Sequence, residues 1–485
     1  MAEKNLDFTP EQLEVYIRHA GKVIRELYSE KLERRVFPGM EPDKVMGLFR
    51  EQLPEEGFDI SDLLEKVRTD VVGAATMNIG PHYYGYITGG GNQVAILAEM
   101  LSAALNQNNL KWHSSPVSTE LEKLVIRWVS QFIGYPDSAA GAILDGGSTA
   151  NFNCLAVARK NMMPDHMSRK GLSGMPPMTV YVSAEGHSSF DKAADMLGIG
   201  LDNLRKIPVD DRFRIRTDLL KKQVDDDLSK GFRPICIIGI AGTTNSGAVD
   251  DLTELAEIAK DYGIWYHVDA AYGGPAAALD SVGYLFEGME MADSVVINPH
   301  KWLYVPFEAA CILVKEPEKL RKTFSLIPDY LRSNEDGGGR TDLMEYQLPL
   351  TKSFKALKVW MTLKAYGAKR LRDTIQGDIE NAGYLARLVQ DSDDFEQMAP
   401  VPLSITCFRY RPEGMNDEDA ELMNRKLAHA IEQDGRIFLT ATKISGKTAL
   451  RTCFINPRTT KKDVEWILEV IRDVEADVMQ QSSRK

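Results

Sequence analysis

Cysteine is scarce in this chain: five in 485 residues, at Cys154, Cys236, Cys311, Cys407 and Cys453. The number is odd, the spacing is wide, and no histidine pairs with a cysteine or a second histidine at ligand spacing. Neither a disulfide framework nor a zinc site is therefore expected. Basic charge is in deficit. Fifty-eight Lys and Arg against 70 Asp and Glu leave a formal charge of -12, which argues against nucleic acid and against an anionic membrane surface as partners. No apolar run approaches the roughly 20 residues that span a bilayer. Met1 to Asp7 carry neither a basic nor an apolar leader segment, so no secretory signal is visible. These absences predict reduced thiols and a cytoplasmic protein. No internal repeat or low-complexity tract is present.

What is there is core-forming material. A 44% hydrophobic content over 485 residues is enough for a large core and more than one domain. Residues 1–80 read as helix-rich. Pro10 stands in the first turn of an amphipathic stretch, and Pro38-Gly39 breaks it. This segment has too little apolar surface for a core of its own. Residues 81–358 alternate short apolar strands with helical stretches, the pattern of an α/β fold with a mostly parallel sheet flanked by helices. Residues 359–485 read as a smaller α+β domain, with strands around Ser404–Arg409 and Ala449–Phe454 and a terminal helix from Thr460.

The chemistry concentrates at predicted strand ends, where open α/β sheets bind ligands. Ile264–Val268 is an apolar run that delivers Asp269, and Asp293–Ile297 is another that delivers Asn298-Pro299-His300-Lys301-Trp302. A lysine just past a strand can form a Schiff base with an aldehyde cofactor. An aspartate at the end of a neighbouring strand can hold a ring nitrogen protonated. These are the two polar contacts that pyridoxal 5'-phosphate needs most. Its phosphate needs backbone N–H groups and hydroxyls at a helix start. Asp145-Gly146-Gly147-Ser148-Thr149-Ala150-Asn151 supplies two glycines and two hydroxyls ahead of a helical stretch. Asn298, Ser148 and Thr149 are the candidate phosphate contacts. His187, after the strand Tyr181-Val182-Ser183, is a candidate to stack on the cofactor ring. Taken singly, a glycine-rich turn is as readily an ordinary loop, and a lone histidine there as readily a helix cap.

His187-Ser188-Ser189, Ala241-Gly242-Thr243-Thr244, His267-Val268-Asp269-Ala270-Ala271 and Asn298–Trp302 together resemble the group II pyridoxal-phosphate-dependent amino-acid decarboxylases. That family includes aromatic-L-amino-acid, histidine and glutamate decarboxylases. The likeness runs from about Pro81 to about Pro457. It implies a fold-type I enzyme acting as a homodimer. The N-terminal segment would pack on the other subunit, and the lid and part of the substrate pocket would cross the interface. It implies that Lys301 anchors the cofactor, that His187 stacks over it, that Thr244 and Ala271 flank it and that His300 supports the lysine. The polar segment Ile327–Arg340, with three consecutive glycines, matches the family's mobile loop, and Tyr330 matches its proton donor.

For the substrate, Tyr86, Leu110 and Trp112 match segments lining the family's side-chain pocket. Arg451 matches an arginine that anchors the substrate carboxylate in some members, with a structural salt bridge as its other reading. Tyr86 resembles the aromatic-amino-acid enzymes. Ile87 and Leu110 depart from them, standing where phenylalanines are common. The expectation is decarboxylation of an L-amino acid, aromatic in the first instance. An acidic or diamino acid such as glutamate, aspartate or diaminobutyrate is the alternative, as is an aldehyde-forming relative. Tyr330 argues against the last, since such relatives usually carry phenylalanine there.

Overall fold

A computed structural model describes residues 6–29, 34–326 and 340–483. Its centre is a seven-stranded sheet. The strands are β1 (Ala140–Leu144), β2 (Met178–Ser183), β3 (Leu204–Ile207), β4 (Arg233–Ile240), β5 (Trp265–Asp269), β6 (Ser294–Ile297) and β7 (Ala310–Val314). Their order across the sheet is β1-β7-β6-β5-β4-β2-β3. All the pairings from β6 through β5, β4 and β2 to β3 are parallel; β7 alone runs against its neighbours β6 and β1. The strands are buried on both faces, which is why they read as continuous apolar runs without alternation.

Two apolar cores cover the two faces. Tyr266, Val268, Val295 and Ile297 point into one, against the helices Pro116–Ile133 and Leu252–Tyr262. Trp265, Val296, Cys236 and Ile238 point into the other, against the helix Gly147–Met162. A mostly parallel sheet flanked by helices is the architecture the sequence predicts. A four-stranded antiparallel sheet, β8 (Phe395–Gln397), β9 (Ile405–Tyr410), β10 (Thr440–Ile444) and β11 (Lys447–Cys453), is ordered β10-β11-β9-β8. It has a third core of its own with the helices Asp417–Asp434 and Lys461–Ser483.

The helix Ala356–Gln390 joins the two sheets and is kinked at Gly367, whose φ of 72° only glycine adopts without strain. The expected boundary at residue 358 therefore falls inside the first turn of this helix. Its first part packs on the large-sheet side and its second part on the antiparallel sheet. The helix Pro10–Ser29 buries none of its residues, and Leu13, Val15 and Ile17 are exposed along it. No helix among the described residues is long and apolar enough to cross a membrane. All five cysteines are buried and free.

Candidate active site

Five strands with a common direction, β1, β2, β4, β5 and β6, bring their carboxyl ends to one rim of the sheet, and each is followed by a segment carrying candidate residues. A cavity of about 190 Å³ opens there. Asp269 closes β5 and Lys301 follows β6. Glu185 and His187 follow β2, Thr244 follows β4, and Ser148 follows β1. Ala271, Asn298 and His300 also line it. The helix Gly147–Met162 begins at the glycine-rich turn itself, earlier than the sequence pattern suggests. Its N-cap, Gly146, offers no side chain to the first backbone N–H groups, so they are open to an anion. Gly147 has a steric reason to be glycine: a Cβ there would lie 2.7 Å from Asn298 Nδ2.

The electrostatics suit an aldehyde cofactor with a basic ring. Burial lowers the pKa of Lys301, and Asp269 opposes that shift; a lysine moved this way holds more of its amine in the nucleophilic, neutral form. Asp269 Oδ1 accepts a hydrogen bond from Ala271 N at 3.1 Å, and its Oδ2 accepts from Asn151 Nδ2 at 3.1 Å. Partial desolvation at the cavity mouth also lowers His187, whose outer edge stays exposed. Its Nδ1 accepts from Ser189 N at 3.1 Å, which leaves the ring proton on Nε2 in the neutral form. Burial pushes His300 down to about 4, and its Nδ1 lies 2.6 Å from Ala309 O. The Asn298 amide oxygen is buried with no partner, so the site holds an acceptor that awaits a donor. An open helix start, an unpartnered amide, a lysine with a lowered pKa and a buried carboxylate on one wall together fit pyridoxal phosphate.

Of the residues the sequence singles out, Lys301, Asp269, His187, Ser148, Thr244, Ala271, Asn298 and His300 meet at this cavity. Thr149 does not line it, and neither do Tyr86, Leu110, Trp112 or Arg451. Tyr86 is 61% exposed and packs against Phe438. Trp112 donates its indole N–H to Glu120 at 3.1 Å and lies under the Arg340 guanidinium. The backbone carbonyl of Leu110 accepts from Met344 N at 3.1 Å. Arg451 is buried and bonds Asn245 O, Tyr86 O and Thr440 Oγ1, while its Nη2 has no partner. Tyr330 lies outside the described residues.

Sequence reasoning missed two groups. The motifs give no role to Glu185, although it stands only two residues before His187 and lines the cavity. Asn151 reads only as part of the glycine-rich turn; it is buried in the helix Gly147–Met162, and no local pattern distinguishes it from the other polar residues there.

A family model, the pyridoxal-dependent decarboxylase conserved domain, matches residues 42–411. The aromatic-L-amino-acid decarboxylase of Bacillus atrophaeus is 31% identical over 477 residues, 98% of each chain. The phenylacetaldehyde synthase of Petunia hybrida is 31% identical over 449 residues, 90% of this chain and 88% of that one. Among solved structures, Oryza sativa TDC with PLP and tryptamine superposes with a TM-score of 0.91 at 27% identity, covering 98% of this chain and 100% of the other. With the motifs gathered at one cavity and a match that spans the fold, the chain belongs to the pyridoxal-dependent decarboxylase family and is a pyridoxal-phosphate-dependent amino-acid decarboxylase.

Proposed function

We propose that this enzyme decarboxylates an aromatic L-amino acid to its amine, with Lys301 as the cofactor anchor, Asp269 as the ring-nitrogen partner and His187 stacked on the ring. The observation that carries the residue assignment is the convergence of those three side chains on one cavity at the strand ends. The aromatic substrate is supported by the relative that shares 31% identity over nearly the whole of both chains. When bound, pyridoxal phosphate draws electrons from the bond that breaks at the substrate Cα. The protein's part is positioning. Ser148, the amide NH₂ of Asn298 and the open N–H groups of the helix start would hold the phosphate. Ala271 and Thr244 would pack about the ring, and His300 would support the lysine. Tyr330 would deliver the proton to the carbon that loses its carboxylate.

Tyr86, Leu110, Trp112 and Arg451 would contribute to the substrate pocket of a homodimer, some of them to the partner's cavity, since none lines the cavity of its own chain. The unburied helix Pro10–Ser29 and the exposed Phe49, Leu53 and Phe58 supply apolar surface that a second copy would cover. A cytoplasmic location fits the reduced thiols. The test is an amino-acid panel scored for amine and carbon dioxide, with aldehyde and peroxide measured alongside. Amine from tryptophan, tyrosine or a related substrate is expected. Turnover confined to glutamate, aspartate or diaminobutyrate, or aldehyde as the main product, would overturn this reading.

A further inference from the structure

The carboxylate of Asp269 stands at the end of a buried hydrogen-bond chain. Asn151 Nδ2 lies 3.1 Å from Asp269 Oδ2 and 3.1 Å from Ser189 Oγ. Ser189 Oγ is 2.9 Å from Nδ1 of His187. Behind Asn151, its Oδ1 is 3.3 Å from His267 Nε2. His267 Nδ1 is 2.9 Å from Ser294 Oγ, which accepts from Trp265 Nε1 at 2.9 Å. Asn151, Ser189, His267, Ser294 and Trp265 are all buried.

The direction of the chain follows from what each group can do. The Trp265 indole only donates, so Ser294 Oγ accepts there and keeps its own proton to offer to His267 Nδ1, which also lies 3.2 Å from Ser294 O. An ionised carboxylate only accepts, so Asn151 must turn its NH₂ toward Asp269 and its carbonyl toward His267. His267 must then carry its proton on Nε2. With the proton on Nε2, Nδ1 is the acceptor, and the Ser294 hydroxyl can serve it. Burial, which pushes His267 down to about 4, keeps it neutral. From Trp265 through Ser294, His267 and Asn151 the hydrogens thus point toward Asp269, and a branch runs from Asn151 through Ser189 to His187. The asparagine amide has two N–H groups, one for Asp269 and one for Ser189, so both its donors are used and its oxygen faces His267.

We propose that Asn151, held in one orientation by His267, is a positioning residue that fixes Asp269 with one N–H and, through Ser189, His187 with the other. The proposal rests on the roles given above to Asp269 and His187. It makes one side chain responsible for aligning the group at the ring nitrogen and the group over the ring face.

The test uses holoenzyme reconstituted with pyridoxal phosphate labelled with nitrogen-15 in the ring, whose chemical shift reports the ring proton. The parent should show a protonated nitrogen and Asp269→Asn a neutral one. Asn151→Ala and His267→Phe should fall between, with turnover lowered about 10- to 100-fold, the usual cost of removing a partner in the layer behind a cofactor or metal ligand. The visible circular dichroism of the bound cofactor should weaken in Asn151→Ala as His187 loses its alignment. Asn151→Asp keeps the shape without the donor and should behave like the alanine variant. His267→Gln can donate to the Asn151 carbonyl and should recover part of the signal. If Asp269→Asn leaves the ring signal unmoved, the assignment of Asp269 itself fails. If Asp269→Asn moves it while Asn151→Ala, Asn151→Asp and His267→Phe do not, the Asn151 proposal alone is overturned.

Discussion

Asp378 offers a sharp physical test, because it props up the turn that carries Lys301. It sits on the long kinked helix, is fully buried, and accepts hydrogen bonds from Trp302 Nε1 at 3.0 Å and Tyr304 OH at 2.7 Å. Burial raises its pKa from 3.8 to about 7. The folded value lies above the unfolded one, so its contribution to stability is fully present below pH 3.8 and is lost as pH rises through 7. The shift of about 3 units, at about 1.4 kcal/mol each, is worth about 4 kcal/mol, of which about 3 kcal/mol disappears between pH 4.5 and 8. Asparagine has the shape of the neutral acid and does not titrate. Asp378→Asn should therefore match the parent near pH 4.5 and gain about 3 kcal/mol on it by pH 8. Asp378→Ala leaves two buried donors unpaired and should lose about 2–6 kcal/mol at pH 4.5. Urea unfolding of the three apo-proteins at both pH values reads this directly, since other titrating groups cancel in the differences. A parent-to-Asn difference that is the same at pH 4.5 and pH 8 would refute a protonated Asp378.

Two further substitutions probe the frame of the site. Lys352 forms a fully buried ion pair with Glu122, which also accepts from Ile143 N on β1 at 2.9 Å and from Asn109 Nδ2 at 2.8 Å. Lys352→Met strands that carboxylate and should cost about 3–5 kcal/mol, with most of it recovered on adding Glu122→Gln; simple additivity in urea unfolding would contradict the pairing. Gly147→Ala drives a Cβ to 2.7 Å from Asn298 Nδ2. Relieving that clash should cost about 1–3 kcal/mol, so pyridoxal phosphate should bind the apo-protein about 10- to 100-fold more weakly. Parent affinity in a fluorescence titration would show that the two residues do not crowd the same space.

The sequence made the strand-end motifs legible because each is local: an apolar run followed within a few residues by Asp269, Lys301 or His187. Strand direction was not legible, since a buried strand reads the same either way, and the reversed β7 has no distinguishing composition. The glycine-rich turn reads as a loop because glycine breaks helices, yet Gly147 opens one. Contacts between distant segments were hidden. Asn151 and Asp269 are 118 positions apart, and Trp302 and Asp378 are 76 apart; no short-range pattern couples either pair. Tyr86 was expected at the pocket wall. Its φ of 52° and its packing on Phe438 instead leave it on the surface of the single chain.

The claim on which the rest depends is that Lys301, half-buried near Asp269 with a pKa lowered by desolvation, is the residue that binds the cofactor covalently. Holoenzyme reduced with borohydride, digested and sequenced by mass spectrometry tests it in one step. The account predicts a single pyridoxyl-labelled peptide spanning Asn298 to Trp302 with the mass on Lys301, and no label after Lys301→Ala. A label on any other lysine of the parent enzyme would contradict it.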